Sequence, residues 1–523
     1  MPPLPLIARA QLHPQRLAIR TSAGDYRYQD LLDRSEQMAR VLLAGRADLN
    51  QARVAVLIAP SVEYVVAQWA IWRAGGIFLP LCNSAAPNEW EYALTDSGAQ
   101  YAIVSSEFQS QVAALCQRLN IRIIADASEV ASSAAPLPDI DSHRPAMILY
   151  TSGTTSKPKG VLTTHDNIQA QIESLTEAWE WQAEDRIPLF LPLHHIHGII
   201  NILSCALWSG ALVEVFSKFD HTVILERVRA DAYTLFMAVP TIYVKLLEIL
   251  GQLTEHERAL TACAFGRMRL MVSGSAALPA SVHQAWFEST GQKLLERYGM
   301  TEIGMALSNP YHGERRPGYV GLPLPGVEVR LKSDSCELLS SEGQPSEGQP
   351  SEGQPSEGQS SEGQSSEGQS GEIQVRGTGV FRSYWNRPEI TAAAFDDGWF
   401  RTGDVAIIED GYYRIMGRQS VDIIKSGGYK LSALEIEATL LEHPSIQQCA
   451  VLGLEDPTWG EVVAAAIVVH KPTSLDADEL KTWCRQHLSP YKIPKRVLFV
   501  DELPRNAMGK VTKPAVRTLF ANR

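Results

Sequence analysis

The apolar and polar positions along the chain alternate between two periods. Arg53 to Ala59 is a nearly continuous apolar run, which predicts a strand buried on both faces. Val62 to Ala74 carries apolar residues at helical spacing and stops at Gly75-Gly76, so a helix follows the strand. Tyr101 to Ser105 and Ile121 to Ala125 again read as strands. This alternation predicts a layered α/β body. Beyond Gly417 a smaller unit begins: a helix from Leu434 to Leu441, strands from Gln448 to Leu454 and Val462 to His470, a helix from Asp476 to His487, and a polar tail. The expected organisation is a large N-terminal domain over 1–417, a connector over 418–422 and a small mobile α+β domain over 423–523, with a barrel-like β part inside the large domain.

One segment breaks the pattern. From Ser341 to Ser370 the pentad S-E-G-Q-P/S repeats six times, without a single apolar side chain. Such a stretch cannot offset its ordering entropy by burial, so a flexible insert is expected. Its flanks, Val327 to Leu331 and Glu372 to Arg376, alternate like two half-buried strands, which predicts a hairpin whose turn has grown.

Composition narrows the function. With 47 basic and 59 acidic side chains the formal charge is −12. Binding nucleic acid through bulk positive charge is therefore excluded, and an anionic substrate would need a local cationic pocket. No apolar run is long enough for a membrane span. The seven cysteines are scattered without a C-x-x-C pair, which argues against a disulfide framework or structural zinc and for a reducing compartment. The N-terminal arginines Arg9, Arg16 and Arg20 read as part of the first helix and strand, and the expected location is cytoplasmic.

The candidate chemistry starts at Tyr150-Thr151-Ser152-Gly153-Thr154-Thr155-Ser156-Lys157-Pro158-Lys159-Gly160, which follows the apolar strand Ala146 to Leu149. Hydroxyls, backbone N–H groups and lysines leaving a strand can wrap phosphate oxygens. It is not the Walker arrangement, because no helix-opening Lys-Ser/Thr follows. The string resembles the phosphate-binding motif of the acyl-adenylate-forming family. Further matches follow in order: Leu191 to Gly198 with its Pro-x-x-His-x-x-Gly, Tyr298-Gly299-Met300-Thr301-Glu302, Phe400 to Asp404, Gly417-Arg418 leading to Lys425 to Lys430, and Asn506 to Lys510. The resemblance runs from about Leu12 to Lys513.

That resemblance implies a fold, a reaction and a set of roles. The reaction joins a carboxylate and ATP to give an acyl-adenylate and pyrophosphate, after which the thiol of coenzyme A attacks. ATP would be held by Thr151, Ser152, Gly153, Thr154, Thr155, Ser156, Lys157, Lys159, Ser275, Ala276, Tyr298, Thr301, Asp404, Arg418 and Lys510. Asp404 would take the ribose hydroxyls and Tyr298 the adenine face. Glu302 would be the Mg2+ ligand, since that ion uses one or two carboxylates plus phosphate oxygens. Lys510, Glu302, His195 and Thr154 would be catalytic, with Lys510 bridging the carboxylate and the α-phosphate. Gly427, Gly428, Tyr429 and Lys430 would face coenzyme A. Two departures stand out. Ser156 replaces the family's usual glycine, and the pivot of the connector is open among Ser420, Val421 and Asp422.

The acid is suggested by Arg297, directly before Tyr298. A guanidinium there suits a second, non-reacting carboxylate. The stretches Arg297 to Asn309 and Ser273 to Pro279 resemble the malonyl-CoA synthetase branch of the family. On that likeness the acyl group is held by Arg297, His195, His197, Ser275 and Met305, and malonate and methylmalonate are not separable. A synthetase for short or medium monocarboxylates, with Arg297 paired internally, is the enzymatic alternative. A non-catalytic nucleotide-binding scaffold is the alternative of another class.

Overall fold

The structure is a computed structural model that describes residues 4–124, 136–151, 157–333, 338–339, 370–426, 429–470, 475–505 and 510–521. Ser152 to Ser156, Gly427, Gly428 and the pentad repeats from 341 to 369 lie outside the described residues. Contacts divide the chain into two compact units. The first comprises 1–317, 323–328 and 376–400, and the second 318–322, 329–375 and 401–523.

The first unit is built around a seven-stranded sheet in the order Ser383–Tyr384, Lys159–Thr164, Pro145–Thr151, Ile77–Pro80, Arg53–Leu57, Tyr101–Val104, Arg122–Ile124. Its middle strands are parallel, and the run Val54 to Leu57 is buried throughout, as an apolar strand covered on both faces must be. The helix Val62–Arg73 is likewise buried along nearly its whole length, with Trp69, Ala70 and Ile71 fully covered. A helix that is apolar all round belongs inside. The first helix, Pro5–Gln11, buries Leu6, Ile7 and Ala10 in this same core.

A second sheet carries the site. Leu235–Ala238, Leu270–Ser273 and Leu295–Met300 run parallel, and Gly304–Ser308 returns antiparallel beside the last. The return turn depends on two glycines. Gly304 adopts φ +65°, and a Cβ on Gly299 would lie 2.1 Å from the Gly304 carbonyl oxygen.

In the second unit, Glu328–Lys332 and Gly371–Arg376 are neighbouring strands, as expected, but the simple hairpin is corrected. A short strand, Leu338–Leu339, pairs antiparallel with Glu328–Lys332 on its other side, so in chain order the pentad repeats fall between two strands that flank Glu328–Lys332. The last part holds Tyr429–Ser432, Ile423–Ser426, Gly460–Val469, Ile446–Asp456 and Arg496–Phe499 in one sheet, with helices Ala433–Leu440 and Ala477–His487. The polar tail is a correction: Lys513–Ala521 is a helix that buries Val516 and Phe520. These two residues, four apart, form a stripe too narrow to stand out among the polar neighbours.

Among the described residues no helix is long and apolar enough to cross a membrane.

Candidate active site

The phosphate-loop segment is framed by a hairpin. Pro145–Thr151 pairs antiparallel with Lys159–Thr164, and Thr151 faces Lys159 in register. The loop therefore joins two strands rather than a strand and a helix, which separates it from the Walker geometry. The Lys157 ammonium lies 5.6 Å from the centre of the Tyr92 ring. That of Lys159 lies 4.2 Å from the centre of the Tyr384 ring.

Facing residues of the second sheet gather the acyl candidates. Arg297 is 4% exposed, and its Nη2 donates to Ser275 Oγ at 3.4 Å while its Nε has no hydrogen-bond partner. Among the described residues no carboxylate pairs with it: the adjacent Glu296 turns away, accepting from the Leu278 N–H at 3.1 Å. Burial pushes the Arg297 guanidinium down to about 9. Gly274 makes room for it, because a Cβ there would stand 2.5 Å from Arg297 Cζ. The next residue, Ser275, is held at φ +71°, a conformation that non-glycine residues seldom adopt outside functional turns.

His197 completes this group. It is 4% exposed and opens a π-helical stretch, His197–Ser204; such stretches recur at functional sites. Its Nδ1 lies 3.1 Å from Ser275 Oγ. Burial first, then the positive charge of Arg297, hold its pKa well below the ordinary histidine range, so the ring is neutral at pH 7. Ser275 thus bridges His197 and Arg297. His195 is half-buried and its ring lies 4.1 Å, centre to centre, from that of His194, which burial lowers to about 4. Met305 is buried on the returning strand, opposite Gly299 in register.

Glu302 sits in the turn between the two strands and is 4% exposed. Tyr384 Oη donates to its Oε1 at 2.9 Å. A buried carboxylate held by this donor could hold a Mg2+ ion, which would supply charge neutralisation to the phosphates of ATP. Tyr298 and Thr301 flank this turn, half-buried, and Ala276 follows Ser275 at the end of strand Leu270–Ser273.

The remaining candidates lie in the second unit. Asp404 and Arg418 face each other in register and form a two-pronged ion pair, at 2.9 and 3.3 Å. Of the three connector candidates, Asp422 has side-chain anchors: it accepts from the Arg418 N–H at 3.0 Å and pairs with the half-buried Lys513 at 2.5 Å. Lys513 also reaches Glu437, at 2.9 Å. Tyr429 is exposed and its ring stacks on Tyr491 at 4.7 Å; Lys430 stands in the same strand, opposite Lys425. Lys510 is exposed.

Two residues that motif reading missed matter here, the Glu302 partner Tyr384 and the Arg297 neighbour Gly274. Tyr384 carries no sequence signal for this contact, whereas Gly274 lies inside the Ser273 to Pro279 stretch, whose family resemblance does not single out the glycine.

Comparison with known proteins gives this geometry its class. Residues 6–385 match the AMP-binding enzyme family and 435–510 the AMP-binding enzyme C-terminal domain. The chain belongs to the AMP-binding enzyme family. It is an ATP-dependent, AMP-forming acyl-CoA ligase, with ATP and coenzyme A as substrates. A malonate–CoA ligase of Bos taurus, named as mitochondrial, is 43% identical over 99% of this chain and 90% of its own length. A malonate–CoA ligase of Arabidopsis thaliana is 36% identical over 97% of this chain and 86% of its own. The crystal structure of ATP-bound MatB from Rhodopseudomonas palustris superposes with a TM-score of 0.85 at 33% identity, covering 99% of both chains.

Proposed function

We propose that the acid activated is malonate, or methylmalonate beside it: malonate and ATP give malonyl-adenylate and pyrophosphate, and the thiol of coenzyme A then displaces AMP. The observation that carries this reading is the buried Arg297 guanidinium, which has no protein carboxylate beside it among the described residues and a single hydroxyl partner, Ser275. A buried cation left this way is strongly unfavourable unless a counter-charge arrives, and the distal carboxylate of a dicarboxylic acid is one. The names of the Bos taurus and Arabidopsis thaliana relatives support the same acid.

In this reading Arg297 and Ser275 grip the non-reacting carboxylate, neutral His197 orients the Ser275 hydroxyl, and His195 and Met305 bound the short acyl chain. Neutrality matters, because a cationic His197 would have only donors to offer Ser275. Thr151 to Ser156, Lys157 and Lys159 hold the phosphates, and Glu302 the metal. Asp404 and Arg418 take the ribose, exchanging their mutual ion pair for nucleotide contacts. Lys510 stabilises the charge that develops as the carboxylate attacks the α-phosphate. Gly427, Gly428, Tyr429 and Lys430 contact coenzyme A. We read the large domain as 1–417, the connector as 418–422 and the mobile domain as 423–523. We read the compartment as a reducing one and place the protein in the cytoplasm; the six free thiols among the described residues support the reducing environment.

The test is coenzyme-A-dependent pyrophosphate release with malonate, methylmalonate, acetate, butyrate and octanoate in parallel. The expected result is strong preference for the two dicarboxylates, with modest discrimination between them, because one methyl group contributes only about 1–3 kcal/mol. Preference for a monocarboxylate would leave adenylation standing and remove the malonate assignment.

A further inference from the structure

Tyr384 occupies the point where the two charges assigned to phosphate and metal meet. It is 5% exposed and lies on the edge strand Ser383–Tyr384, paired with Lys159–Thr164 so that it faces Val161. Its hydroxyl donates to Glu302 Oε1 at 2.9 Å, and the Lys159 ammonium rests 4.2 Å from the centre of its ring. The backbone around it is fixed as well. The Phe381 N–H donates to the Glu302 carbonyl at 2.7 Å, and the Tyr384 N–H donates to Thr391 Oγ1 at 3.0 Å.

We propose that Tyr384 is a positioning residue for adenylation, orienting the Glu302 carboxylate through its hydroxyl and holding Lys159 through its ring. The inference rests on the reading of Glu302 as the Mg2+ ligand. A donor on one oxygen removes the free rotation of the carboxylate, and Mg2+ tolerates little departure from octahedral geometry. A lysine ammonium over an aromatic face keeps its charge while losing conformational freedom, so it reaches a phosphate with less ordering left to do. One side chain thus couples the cation that comes with ATP to the cation supplied by the protein.

Two substitutions separate the parts. Tyr384→Phe keeps the ring beneath Lys159 and removes only the hydroxyl; Tyr384→Leu removes both. The readout is ATP binding to the full chain by calorimetry, without acid or coenzyme A, in EDTA and in saturating Mg2+. The gain in ATP affinity produced by Mg2+ should fall by about 10-fold in Tyr384→Phe, as removal of a partner behind a metal ligand commonly does. Affinity in EDTA should stay within about 2-fold of wild type in that variant and fall further in Tyr384→Leu, where Lys159 loses its support. An unchanged Mg2+ effect in Tyr384→Phe overturns the proposal. Glu302→Gln distinguishes the two levels. If it abolishes the Mg2+ effect while Tyr384→Phe does not, the positioning role fails and the metal ligand stands. If neither changes it, the metal assignment of Glu302 fails as well.

Discussion

Replacing Arg297 with Leu should lower kcat/KM for malonate by roughly 30-fold to several thousand-fold, with ATP binding retained. The range follows from removing one partner of a buried, hydrogen-bonded charge pair, which costs about 2–5 kcal/mol. The sign of the stability change is the more diagnostic part. In the acid-free protein Arg297 is buried against Gly274 with one hydroxyl partner, so the charge is a burden on the fold rather than a support. Thermal unfolding of Arg297→Leu without ligand should therefore occur at or above the wild-type temperature, a stability–function trade-off at the site. Steady-state kinetics beside a melting curve checks both halves. A variant that melts much earlier would mean that Arg297 holds the fold together, and the loss of malonate turnover would then say nothing about recognition.

The second large effect is expected at Lys510. Lys510→Ala should slow malonate-dependent ATP–pyrophosphate exchange by about 10²–10³-fold, the usual consequence of removing one preorganised donor from a developing charge. Lys510 is exposed, so the substitution should leave unfolding within about 0.5 kcal/mol of wild type. Exchange at the wild-type rate would exclude Lys510 from adenylate formation. The same experiment bears on the scaffold alternative, because a protein that only binds nucleotide would show no exchange in either form.

The parts of this site that were legible in the sequence are those written in one local string. The Tyr298 to Glu302 segment lies along one hairpin, and Thr151 and Lys159, which bracket the phosphate-loop string, pair in register on another. The buried strand at Arg53–Leu57 and the helix Val62–Arg73 were equally plain, since continuous burial leaves continuous apolar runs. What could not be read is contact across long separations. Tyr384 reaches Glu302 from 82 positions away, and no local period or composition encodes that meeting. Gly274 illustrates a subtler limit. A glycine in a turn suggests backbone freedom, yet here its missing Cβ leaves space for a guanidinium contributed by another strand. The C-terminal helix Lys513–Ala521 failed for a third reason. Its apolar stripe is two residues wide, and Lys513, which reads as a solvated charge, is half-buried and paired with both Asp422 and Glu437.

The dicarboxylate reading makes Arg297 a requirement for charge at the far end of the acid, not for chain length or shape. Malonate and its monomethyl ester share the reacting carboxylate and the three-carbon skeleton and differ in that distal charge. The decisive measurement is kcat/KM for the two acids in the same pyrophosphate-release assay. The account predicts that the monoester is used at least about 100-fold less well, since it offers the buried guanidinium no counter-charge. Equal use of the two would contradict it, because Arg297 would then have no carboxylate to bind.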